Sequence, residues 1–147
     1  MRRLADLSTI RTLFNQGYNC AQIVFSEFAE TLGLKREYCL KIATGFGAGM
    51  SMMKQACGAV SGAVMVIGAK YGNENENGKE KKLKTYDLVN EFAKQFTEKN
   101  KSISCPVLLD HDISTPEGLQ KARELKLFET KCPQLVKDAI DILKELI

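Results

Sequence analysis

Ala56-Cys57-Gly58-Ala59-Val60-Ser61-Gly62-Ala63-Val64-Met65-Val66-Ile67-Gly68-Ala69 is the stretch that decides the fold. Every residue in it is apolar or small and no face is charged, which is the pattern of a helix buried on every side. Gly58 and Gly62, four apart, share a face of such a helix and let neighbouring elements approach its backbone closely. The uncharged run from Gln55 to Ala69, bounded by Lys54 and Lys70, falls short of the roughly 20 residues that a bilayer crossing takes. No membrane span is expected, so this helix must be covered by other parts of the chain.

Working outward, Gly45-Phe46-Gly47-Ala48-Gly49 is too rich in glycine for a regular element and reads as a tight turn. Before it, Ala21, Val24, Phe25, Phe28 and Leu32 form one helical stripe, with Asn19 as N-cap and Gly33 as stop. Leu4, Leu7, Ile10, Leu13 and Phe14 predict a first helix over 4–15, and a short third helix is expected over 36–44. On the other side, Tyr71-Gly72 ends the central helix and Asn73 to Gly78 form a polar loop. Tyr86, Val89, Phe92, Ala93 and Phe96 then mark the inner face of a helix whose start carries Lys79, Lys81, Lys82 and Lys84. Those lysines read as a solvated face rather than a dock for an acidic partner. Thr115 with Pro116 opens one more helix, and Leu135, Val136, Ala139, Ile140, Leu143 and Leu146 stripe another. With no competing strand pattern, repeat or long linker, residues 1–147 are expected to form one all-α domain, a bundle of about six helices around the buried central one.

Composition narrows the function. Lys and Arg outnumber Asp and Glu by 21 to 18, and a net +3 is too small for a phosphate-neutralising face, so nucleic acid is not the expected partner. Five cysteines in 147 residues are too few for a disulfide scaffold, and their odd number leaves one over, so the thiols are expected to be reduced. Asp6 stands where a signal peptide needs an apolar run, which makes the cytoplasm the expected location.

The cysteines at 20, 39, 57, 105 and 132 contain no Cys-x-x-Cys, and the single histidine has no partner histidine, which excludes zinc-finger and thioredoxin motifs. Four of them fall at expected helix beginnings: Cys20 after Asn19, Cys57 after the glycine segment, Cys105 and Cys132 each before a proline. A helix start carries partial positive charge and free N–H groups, which favour a thiolate. Four such sites point to a shared site, since thiolates are what soft metals and iron–sulfur clusters require and four is the usual ligand number. The competing reading is four ordinary core thiols. Cys39, in mid-helix, reads as a buried structural thiol. Gly45, Gly47 and Gly49 lack the Gly-x-Gly-x-x-Gly fingerprint of a phosphate cradle, and His111, between Asp110 and Asp112, reads as a surface-loop residue.

The arrangement resembles the redox-active proteins named for their C_GCAxxG_C_C pattern, short chains with four characteristic cysteines. The resemblance rests on Cys57-Gly58-Ala59-Val60-Ser61-Gly62, on Gly17-Tyr18-Asn19-Cys20-Ala21-Gln22, on Gly45 to Met50, on Ser114-Thr115-Pro116-Glu117-Gly118 and on Cys105 and Cys132-Pro133. It covers nearly the whole chain. Here Ala56 precedes and Gly58 follows the second cysteine, where the family name has glycine and alanine, and Cys39 is extra to the pattern. The resemblance implies redox activity without fixing a reaction. A more distant similarity to the cluster-bearing part of split-Soret cytochromes implies an iron–sulfur centre, without covalent haem because Cys-x-x-Cys-His is absent.

Three functions are therefore expected in order. The first is an electron carrier or redox sensor that binds a [2Fe–2S] or [4Fe–4S] cluster on Cys20, Cys57, Cys105 and Cys132 and meets a redox partner protein. The second is a thiol–disulfide oxidoreductase using the same cysteines without metal. The third is a structural zinc site or a non-catalytic helical interaction module, disfavoured for zinc by gaps of 37, 48 and 27 residues between ligands. Substrate and self-association are not encoded in any motif.

Overall fold

The computed structural model describes residues 3–147. In chain order the helices are α1 (Leu7–Asn15), α2 (Cys20–Glu27), α3 (Ala29–Leu32), α4 (Arg36–Ala43), a 3-10 turn (Thr44–Phe46), α5 (Gly47–Met52), α6 (Gly58–Tyr71), α7 (Lys79–Asn100), α8 (Cys105–Leu109), α9 (Pro116–Glu124), α10 (Leu127–Thr130) and α11 (Cys132–Leu146). The fold is all-α, as expected. Among the described residues the only strand-like pairing is an isolated antiparallel bridge between Ala56 and Ser104.

The expected six helices undercount the elements because α3, α8 and α10 span only four or five residues each. A helix that short has no apolar period to read and is held by its surroundings. The second helix breaks at Phe28 (φ −96°, ψ 3°), and Leu32 falls in the piece beyond it. The first begins later than expected. Asp6 caps α1 by accepting from the Thr9 N–H at 2.8 Å, which leaves Leu4 outside it, and the Ala5 N–H reaches the buried Glu27 carboxylate at 2.9 Å.

α6 is the pivot, packed against α2, α7 and α11. Gly58, Ala59, Val60, Gly62, Ala63, Val66 and Ile67 are buried, but Val64 is 37% exposed and Ala69 is also exposed. Burial on every side is thus corrected to burial on most of the circumference, because the three packed neighbours leave the stripe at Val64 open. On α7, Phe92 and Phe96 stack at 5.8 Å within the core, whereas Tyr86 is exposed because the lysine-rich first half of the helix lies outside the core. Lys99 of α7 pairs at 3.1 Å with the buried Asp138 of α11, which also accepts from Gln134 at 2.8 Å, so that buried charge is satisfied.

The Gly58/Gly62 spacing does what it promises. A Cβ on Gly62 would stand 2.8 Å from the Val24 Cβ and 3.0 Å from the Ala21 carbonyl oxygen, so α2 lies directly on the α6 backbone. Gly62→Ala is expected to lower stability by about 1–3 kcal/mol through overpacking, more than its helix-propensity gain restores. Gly68→Ala, where a Cβ meets nothing within 4 Å, is expected to stabilise by up to about 1 kcal/mol. Urea midpoints of the two variants check the contrast.

Candidate functional site

Cys20 opens α2, Cys57 is the N-cap of α6, Cys105 opens α8 and Cys132 opens α11. All four are buried, and all four line one cavity of about 440 Å³. Cys39 is buried too, but on α4 and away from that cavity, as a structural thiol should be. His111 lies outside the cavity lining, with Nδ1 3.1 Å from the Leu109 carbonyl oxygen.

Local chemistry fixes each helix start. Asn19 and Gln22 form a reciprocal capping box at α2, with bonds of 3.0 and 2.9 Å, which sets Cys20 in the first turn. The same Asn19 donates from Nδ2 to the Thr44 carbonyl at 2.9 Å, and its side chain lies so close over Gly47 that no Cβ fits there. Cys57 and Cys105 are joined by the bridge at Ala56 and Ser104: the Cys57 N–H donates to Ile103 at 2.7 Å and the Cys105 N–H to Gln55 at 3.0 Å. Residues 48 apart in the chain thereby stand side by side.

The glycine segment is the expected tight turn, in an uncommon form. Ala48, Gly49, Met50, Ser51 and Met52 all have positive φ, between 54° and 68°, making α5 a left-handed turn. Left-handed backbone costs an L-residue roughly 1–2 kcal/mol, and four of these five are not glycine. The turn is pinned by Ser51 Oγ donating to the Gly45 carbonyl at 2.8 Å and the Gln55 N–H donating to that of Gly49 at 2.9 Å. Ala48, Gly49 and Met52 form one wall of the cavity, and a Cβ on Gly49 would sit 2.8 Å from the Cys105 Cβ. Strain of this kind persists where surrounding structure over-determines it, and it clusters at functional sites.

The thiols differ electrostatically. Hydrogen bonding to the Cys132 and Cys57 thiols, followed by burial, pushes Cys20 well above its usual range. Cys57 is lowered, first by the hydrogen bond from Cys20 and then, against burial, by the Ala59 and Val60 N–H groups at the start of α6. Cys105 is pushed up to about 12, chiefly by burial and then by the neighbouring Cys57 and Cys132. The expectation that each helix start favours thiolate therefore holds at Cys57; at Cys20 and Cys105 neighbouring thiols and burial outweigh it. A depressed pKa means a larger thiolate fraction at a given pH, and the thiolate is the nucleophile. In reduced, metal-free protein at pH 7–8, iodoacetamide is expected to label Cys57 before Cys20 or Cys105, with Cys105 catching up as pH rises toward 12. Peptide mass spectrometry over a time course reads the order.

The lining holds five sulfurs, counting Met52, and no carboxylate or imidazole; Arg123 is its one charged side chain besides any thiolate. The donor set is therefore soft, of the type that thiolate-ligated metals take. Among the described residues no three Cys, His, Asp or Glu side chains stand at the spacing of a single shared ion. Arg123, Met52 and the second role of Asn19 gave no motif in the sequence.

The family model described as "Putative redox-active protein (C_GCAxxG_C_C)" matches residues 18–146, which take in all four cavity cysteines. No curated protein and no solved structure matches the chain.

Proposed function

The chain belongs to the C_GCAxxG_C_C family, and from that premise we propose that it is a redox protein holding an iron–sulfur cluster on Cys20, Cys57, Cys105 and Cys132. The observation that supports this reading is a single cavity lined by four cysteine sulfurs and by no oxygen or nitrogen ligand of the usual acidic or imidazole type. A cluster bound there supplies reversible one-electron storage, for transfer to a redox partner protein or for sensing. The residues of the chain do the rest. Ala59 and Val60 aim N–H groups at the Cys57 sulfur, a contact of the type that tunes potential. Leu109, Ile113 and Leu135 make the lining shared with the sulfurs apolar, and Gly49 lets the backbone close against Cys105. A reducing compartment such as the cytoplasm suits thiols of this kind.

A second reading has its own support, the Cys20–Cys57 hydrogen bond. In it the Cys57 thiolate attacks a substrate disulfide and expels one substrate thiolate, leaving a mixed disulfide. Cys20 then attacks the Cys57 sulfur, its proton passing to the departing second thiolate. The substrate disulfide is reduced to two thiols and the Cys20–Cys57 pair is oxidised to a disulfide.

Purification without air, followed by a visible spectrum and assays of iron, acid-labile sulfide and zinc, tests the first reading. A brown protein with iron and sulfide in near-equal amounts is expected. Metal-free protein that forms a reversible Cys20–Cys57 disulfide supports the second reading instead, and a colourless protein with one tightly held zinc overturns both.

A further inference from the structure

We infer that the cysteine cavity binds a small organic anion, an apolar body bearing one carboxylate-like group that pairs with Arg123. The inference deepens the redox reading, and rests on it, by naming the class of molecule that reaches the sulfurs. At about 440 Å³ the cavity lies within the roughly 300–1,000 Å³ of small-ligand pockets. Its lining also includes Phe14, Leu108, Leu119 and Phe128, which suit an apolar body.

Charge selects the rest of the ligand. Arg123 is the single basic residue in the lining, and no acidic residue stands with it. Its guanidinium has no hydrogen bond or ion pair to any described residue. The adjoining Ala122 is fully buried, and Thr115 caps the helix by accepting from the Gly118 N–H at 3.0 Å, so α9 holds Arg123 on a firm base. Arg123 is exposed at the cavity rim and so open to an incoming anion, with a planar donor fork that matches a carboxylate.

Isothermal titration of the full chain as isolated, with 4-phenylbutyrate and the neutral 4-phenylbutyramide, tests this. The carboxylate is expected to bind about tenfold more tightly than the amide, with the difference shrinking as salt is raised. Arg123→Gln is expected to weaken the carboxylate by about tenfold and leave the amide unchanged, while Arg123→Lys keeps most of the affinity. Lys121→Gln, an exposed change on the same helix outside the lining, is expected to alter neither. Carboxylate and amide binding equally, an unchanged affinity in Arg123→Gln, or no binding of the carboxylate at millimolar concentration overturns the inference. Iron and sulfide assayed in the same samples separate the two ideas: iron without binding removes this one alone, and binding without iron removes the cluster alone.

Discussion

Cys57→Ser is expected to lose essentially all bound iron and acid-labile sulfide, and so are Cys20→Ser, Cys105→Ser and Cys132→Ser, while Cys39→Ser keeps the full complement. The contrast follows from placement. The four cavity cysteines line one cavity, whereas Cys39 is just as buried but lies on α4 outside it. Serine is nearly isosteric and keeps the helix starts, but its hard oxygen replaces a soft thiolate that iron–sulfur chemistry requires. Iron, sulfide and visible absorbance per chain, read beside far-ultraviolet circular dichroism to confirm folding, check the series. Uniform retention of iron across the four variants ends the cluster reading. Under the disulfide-exchange reading the pattern differs: loss of thiol–disulfide exchange activity concentrates at Cys57 and Cys20, and no variant alters metal content.

Gly49→Ala is expected to cost about 2–5 kcal/mol, the sum of left-handed backbone strain for an L-residue and overpacking against a fixed neighbour. Gly49 has φ +66°, and the added Cβ would lie 2.8 Å from the Cys105 Cβ and 3.2 Å from its sulfur. Gly17 supplies the control. It too has a positive φ, +96°, but a Cβ there meets nothing within 4 Å, so Gly17→Ala is expected to show only the strain, about 1–2 kcal/mol. Denaturant unfolding gives the two costs. A second readout belongs to Gly49 alone: displacing Cys105 is expected to speed its alkylation in the reduced, metal-free protein. Equal stability loss in the two variants would falsify the close packing of the glycine turn on Cys105.

Much of the fold was legible because it rests on period and punctuation. The apolar run around Val60 to Ile67 marked α6, Asn19 marked the start of α2, and Thr115-Pro116 marked α9, each through a local rule that its own residues obey. Where packing decides, the reading was coarser. Tyr86 repeats with Phe92 and Phe96 in the helical period, yet is exposed, because the core covers Phe92 and Phe96 further along α7 and not Tyr86. Phe28 continues the stripe of α2, yet the helix breaks at it.

The site divides in the same way. Residue type and capping chemistry alone determined that four cysteines stand at helix starts and that Cys39 does not, because a helix start is set within a few residues of chain. Only the tertiary structure decided that these sulfurs share one cavity, that Cys57 lies beside Cys105 through the Ala56–Ser104 bridge, and that a left-handed turn closes the wall between them. Those are contacts between segments tens of residues apart, and they hold a strained backbone that no local preference would choose. Burial and neighbouring thiols then set Cys57 apart from Cys20 and Cys105, an electrostatic difference that exists only once the chain has folded.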